Sequence, residues 1–80
     1  MDFQTARDYR VPFGKHEGKR IGSVARTPEG ICYLNWLDSA RAIDRLRGLG
    51  TRFDAALSIY LSHPKVITYL AAAARITKGD

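Results

Sequence analysis

Val11-Pro12-Phe13-Gly14-Lys15-His16-Glu17-Gly18-Lys19-Arg20-Ile21, followed downstream by Tyr33-Leu34-Asn35-Trp36-Leu37, sets the reading of the chain. In the first part, Val11, Phe13 and Lys15 alternate with Pro12 and Gly14, the period of a half-buried strand. Glu17-Gly18 supplies a turn, because glycine accepts the positive φ of a short hairpin loop. Lys19-Arg20-Ile21 then leads back, with Ile21 on the apolar side. The expectation is a β-hairpin over 11–21. Pro12 cannot donate to a ladder, so its strand lies at an edge with an open amide side. Gly14, without a side chain, leaves room for a backbone or a ligand. Lys15, His16, Lys19 and Arg20 crowd one turn, offset only by Glu17.

The second part begins a helix carrying two large aromatics. Tyr33 and Trp36 are three apart and can share a side of it. The main expectation is that both pack under the hairpin with Phe13 as core. The other reading is a stacking platform beside a basic hairpin. A mixed arrangement, with Trp36 buried and Tyr33 or His16 exposed, also fits.

The run FGKHEGKR, a spacer and YLNWL resemble the C-terminal domain of exodeoxyribonuclease X-like proteins. They are also similar to a small family of quorum-sensing-regulated virulence factors. The residues that carry the resemblance are Phe13, Gly14, Lys15, His16, Gly18, Lys19, Tyr33, Leu34, Trp36 and Leu37. A weaker echo lies at Phe53 to Leu61, which ends in Tyr60-Leu61. The resemblance covers roughly a third of the chain and rests on infrequent residue types at fixed spacing. It implies a DNA-associated accessory module and not a catalytic domain.

Eighty residues read as one domain. A domain of this size buries only about 60% of the surface its unfolded chain exposes, so its stability is marginal. No apolar run is long enough to cross a bilayer. Residues 1–10 show no period and read as a mobile arm or an extended lead-in; they do not resemble a signal peptide. Residues 28–77 read as helical. Gly22 to Ala25 suits one short helical turn. Thr27-Pro28-Glu29 starts a helix by capping, fixed φ and dipole complementarity. Ile31, Leu34 and Leu37 form its inner stripe, which Ala40, Ile43 and Leu46 can extend. Asp38-Ser39 can cap a new helix, so one helix or two fit before Gly48-Leu49-Gly50. Thr51 to Asp54 resembles a capping box. Phe53, Ala56, Leu57, Tyr60 and Leu61 form the next stripe. Ser62-His63-Pro64 breaks that helix. Pro64 opens the last one, with Val66, Ile67, Leu70, Ala73 and Ala74 inward and Lys78-Gly79-Asp80 frayed. The fold class expected is α+β: an N-terminal hairpin on three or four helices.

The chain carries a net charge of +5, which favours an anionic partner, nucleic acid first. The charge is denser at the front: Arg7, Arg10, Lys15, Lys19, Arg20 and Arg26 face Asp2, Asp8 and Glu17. Cys32 is the only cysteine, which excludes an internal disulfide and suits a reducing cytoplasm. It reads as a small buried hydrophobe. His16 and His63 stand apart, and no acidic cluster has metal-ligand spacing. There is no phosphate loop. Neither metal, cofactor nor enzyme activity is expected.

The expected function is a non-catalytic nucleic-acid-binding or nuclease-accessory module, with DNA ahead of RNA. Lys15, His16, Lys19 and Arg20 are the main phosphate contacts, joined by Arg10 and Arg26; Tyr33 and Trp36 are candidate stacking residues. Such contacts carry little sequence information. The alternative is a phage or host regulator that binds a protein through the open hairpin edge.

Overall fold

The structure, a computed structural model, describes residues 1–78. Among these it contains six helices: α1 Phe3–Asp8, α2 Ile21–Val24, α3 Pro28–Ala40, α4 Ala42–Leu46, α5 Arg52–Leu61 and α6 Pro64–Lys78. The α3 helix lies mainly against α6, and α1 against α5, with α2 between α1 and α3. Ile21, Ile31, Leu34, Phe53, Leu57 and Val11 are the largest apolar side chains fully enclosed between them. No helix among the described residues is long and apolar enough to cross a membrane. The expected fraying of Gly79 and Asp80 lies outside the described residues.

The α+β expectation is corrected: the fold is all-helical, and no strand forms among the described residues. Residues 11–20 make a turn-rich loop, closed at its base by one isolated antiparallel bridge between Arg10 and Arg20. Two bonds flank that bridge. The Val11 N–H donates to the Lys19 carbonyl at 2.8 Å, and the Ile21 N–H to the Tyr9 carbonyl at 2.9 Å. A ladder cannot continue from there. Pro12 has no N–H, and Gly14 at φ +82° turns the chain out of the extended region. Gly18 at φ +83° turns it back, and its N–H closes on the Val11 carbonyl at 2.8 Å.

The first ten residues are also not an arm. Asp2 caps α1, accepting from the Thr5 N–H at 2.8 Å. Ala6 is then fully buried, and Phe3 stacks on Tyr60 with ring centroids 5.3 Å apart.

The helix boundaries follow local chemistry. Thr27 caps α3 through the Gly30 N–H at 3.0 Å, with Pro28 in the first turn. The chain breaks after Ala40, so this segment is two helices, parted at Arg41 and not at Asp38-Ser39. That break ends the apolar stripe. Ile31, Leu34 and Leu37 are buried, whereas Ala40, Ile43 and Leu46 face outward. Beyond α4, Gly48 at φ +76° lets the Leu49 N–H reach back to the Asp44 carbonyl at 2.8 Å. Thr51 and Asp54 form both bonds of the capping box at the start of α5. On α6, Val66 and Ala73 are buried and Leu70 packs against the core, but Ile67 is exposed, contrary to its expected inward position.

One polar feature sits inside this frame. The Asp54 carboxylate is fully buried and receives the Arg41 guanidinium through Nε and Nη2. The Thr51 N–H adds a third bond at 2.7 Å. Burial pushes the Asp54 carboxyl up, but the Arg41 and Thr51 hydrogen bonds outweigh it and hold the group below its ordinary value.

Candidate nucleic-acid interface

The loop is held from both ends. Val11 and Ile21 are buried in the core and straddle its base. Arg10 reaches across and donates from Nη1 to the Gly18 carbonyl at 2.6 Å. Gly14 lies against α3: a Cβ built there would sit 3.2 Å from the Tyr33 hydroxyl. The approach expected at Gly14 is therefore made by a side chain of the same protein.

This seating places the loop tip over the aromatic face of α3. The His16 ring lies 5.1 Å from the Tyr33 ring, and the Tyr33 ring 6.1 Å from that of Trp36. The Lys15 ammonium stands 5.7 Å from the centroid of the Tyr33 ring, within cation–π range. His16 and Tyr33 are half-buried, but Trp36 is 62% exposed. The expected core position of Trp36 is thus overturned, and the mixed arrangement is reversed. Phe13 is likewise not enclosed; it meets Phe53 edge-on at 5.7 Å, with Arg41 over its ring. The reason for the outward Trp36 is geometric. Leu34 points into the core, and two residues further along an α-helix is a rotation of about 200°.

His16 has the most altered chemistry in the row. Burial lowers its pKa, and the nearby Lys19 and Lys15 charges lower it further. Its Nδ1 is enclosed and has no hydrogen-bond partner among the described residues. A base held below its unfolded value stabilises the fold only while neutral. Its contribution is present above the ordinary value of 6.5 and is lost as pH falls through the depressed folded value. An NMR titration should place the His16 midpoint below 6.5, and Lys19→Ala should move it upward. A midpoint that does not move would show that the lysine field does not reach the ring.

The other nominated cations separate into three places. Lys15 and Lys19 stay with the tip. Arg20 and Arg26 instead line a cleft between α1, α2 and α5, together with Arg7. Arg10 is engaged in closing the loop. Arg7, counted in the front-third charge, is not among the nominated contacts because residues 1–10 read as an arm; Asp2 three residues before Thr5, with Phe3 and Ala6 on one side, is the signal that marks the helix. Cys32 packs partly buried against the core. Among the described residues, no three His, Cys, Asp or Glu side chains are grouped as metal ligands.

No family model, curated protein or solved structure matches the chain.

Proposed function

We propose that the chain is a non-catalytic module that binds single-stranded nucleic acid, stacking a base on Trp36 and holding adjacent phosphates with Lys15 and Lys19. The observation that carries this reading is the exposed Trp36 ring in a row with Tyr33, His16 and the Lys15 ammonium. An indole left in water forfeits a large burial gain, and a base stacked on such a ring recovers about 1–3 kcal/mol. The net charge of +5 supplies the sequence-independent attraction. The resemblance to the exodeoxyribonuclease X-like C-terminal domain favours DNA and an accessory role beside a nuclease. A reducing, cytoplasmic setting suits the lone thiol.

Trp36 is the only tryptophan, so its fluorescence reports on this site alone. Single-stranded oligonucleotides should quench it saturably, and duplexes of the same sequence much less. Lys15→Ala and Lys19→Ala should each flatten the slope of log K against log salt by about 0.7, the value for one lost single-strand phosphate contact. Arg75→Ala, near the C-terminal end of α6, should change it less. Trp36→Ala should abolish stacking while costing only about 0.5 kcal/mol of stability, as for other surface positions. Absence of quenching near physiological salt sinks the reading.

A second reading has one observation behind it. Ile43, Leu46 and Leu49 are exposed on α4 and the turn after it, with Leu46 87% accessible, and exposed apolar side chains of this size suit a protein partner. The route first expected for such a partner, an open strand edge, does not exist in this loop.

A further inference from the structure

The cleft between α1, α2 and α5 has a volume of about 250 Å³ and is lined by Arg7, Arg20, Arg26, Ser23, Gly22, Asp8 and Tyr60. Three arginines therefore line one cleft that holds a single carboxylate. Asp8 is shared with Arg7, 3.6 Å away. Neither Arg20 nor Arg26 has a carboxylate partner among the described residues. A concave site lined mainly by cations favours an anionic ligand. The bridge adds to this: Arg10 and Arg20 stand directly opposite each other, a placement that destabilises paired strands. Arg10 is relieved by the Gly18 carbonyl, whereas Arg20 turns to the cleft.

The cleft is also built rather than incidental. Gly22 sits within α2 at an ordinary helical position, where glycine is unfavourable. A Cβ there would lie 2.6 Å from Arg7 Cγ and 3.2 Å from its Cδ. The missing side chain leaves room for the Arg7 stem to lie against α2. Tyr60, itself buried and stacked on Phe3, gives the cleft a floor.

We propose that this cleft binds the dianion of a phosphate monoester, carried either by a small nucleotide or by the end of a nucleic-acid strand. Three positive groups less one negative leave two, matching the charge of such a group, about −1.5 to −2 at neutral pH. Guanidiniums pair with phosphate oxygens in bidentate fashion, and the Ser23 hydroxyl adds a neutral donor. A phosphate within a strand carries only one charge, so the charge count favours a terminal monoester. One water needs only about 10–15 Å³ by the same measure, so the cleft has room for a phosphate group. Only the strand-terminus form rests on the nucleic-acid reading; the small-nucleotide form stands without it.

The test compares inorganic phosphate, a nucleoside 5′-monophosphate, and one single-stranded oligonucleotide ending in either 5′-phosphate or 5′-hydroxyl. Inorganic phosphate should shift the amide resonances of Arg7, Ser23 and Arg26 saturably. The phosphorylated oligonucleotide should bind about tenfold more tightly than its hydroxyl twin, equivalent to about 1.4 kcal/mol. Arg26→Ala and Arg7→Ala should erase that ratio in protein that remains folded by circular dichroism. Gly22→Ala should erase it too, with every charge retained, by displacing Arg7. Trp36→Ala should weaken both oligonucleotides and leave their ratio. Equal binding of monophosphate and phosphorylated oligonucleotide identifies a small ligand; much tighter binding of the oligonucleotide identifies a strand end. Equal affinity for the two oligonucleotides, with no saturable response to inorganic phosphate, overturns the proposal. So does a ratio lost as readily in Lys15→Ala as in Arg26→Ala, which would reduce it to bulk charge. Loss of Trp36 quenching alone leaves the inorganic-phosphate result untouched, so the two readings fail separately.

Discussion

Arg41→Ala should cost about 3–5 kcal/mol, because it leaves the Asp54 carboxylate buried without its counter-charge. Arg41 is the only cation that bonds Asp54 among the described residues. Thr51 would remain as a partner, but two neutral donors do not replace a guanidinium that binds both carboxylate oxygens. Folded domains are stable by only about 5–15 kcal/mol, and small ones sit low in that range. The variant should therefore melt near or below ambient temperature, read by circular dichroism. Asp54→Asn in the Arg41→Ala background removes the stranded charge and should recover part of the loss. If Arg41→Ala costs under 1 kcal/mol, water reaches Asp54 and the pair is not enclosed. The pair also fixes an acid limit. A carboxyl held below its ordinary value contributes stability that is fully present above 3.8 and disappears as pH falls through the folded value. Acid unfolding should thus be steep in the wild type, and flattened in Asp54→Asn.

Gly30→Ala is the second large effect, and its cause is purely steric. A Cβ at Gly30 would lie 1.7 Å from the Val24 carbonyl oxygen and 2.9 Å from Thr27 Oγ1. The first obstacle is backbone, so no rotamer change relieves it. Opening the contact means parting α2 from the first turn of α3 and loosening the Thr27 cap. Overpacking typically costs about 1–3 kcal/mol, and an obstacle of backbone at this distance belongs at or above the upper end. A denaturant midpoint should fall accordingly. Pro28→Ala, in the same turn but without such a contact, should change it far less. An unchanged midpoint in Gly30→Ala would mean that α2 can shift freely.

Much of the helical frame was legible because its signals are local. Thr27 with Pro28, Thr51 with Asp54, and Ser62-His63-Pro64 each act within a turn of helix, and each sets the boundary it announces. The strand-like alternation of the loop relies on Pro12 and Gly14 as its intervening residues. Neither reports on a pleat: one lacks a ladder donor, and the other turns through a positive φ. The i,i+3 pairing with Tyr33 suggests a shared inward face for Trp36, whereas its two-residue step from the buried Leu34 turns it outward. The basic residues of the front third were found, but not their division between tip and cleft. That division depends on α1 lying beside α2, and the Arg41–Asp54 pair on residues 13 apart. Neither juxtaposition is written in any single window of sequence.

The closed loop has a thermodynamic consequence for whatever it meets. Its base is fastened by the amides of Val11, Gly18 and Ile21, its middle by Arg10 on Gly18, and its flank by Gly14 against Tyr33. Its turns fold back on themselves through Glu17 to Gly14 and Lys19 to His16. Fixing a free residue costs about 1–2 kcal/mol of conformational entropy. A chain segment tied in this way has met that cost in folding, so a ligand at its tip orders side chains alone. Affinity then follows the contacts made and not the disorder removed, and a shallow surface with few contacts can still hold a ligand.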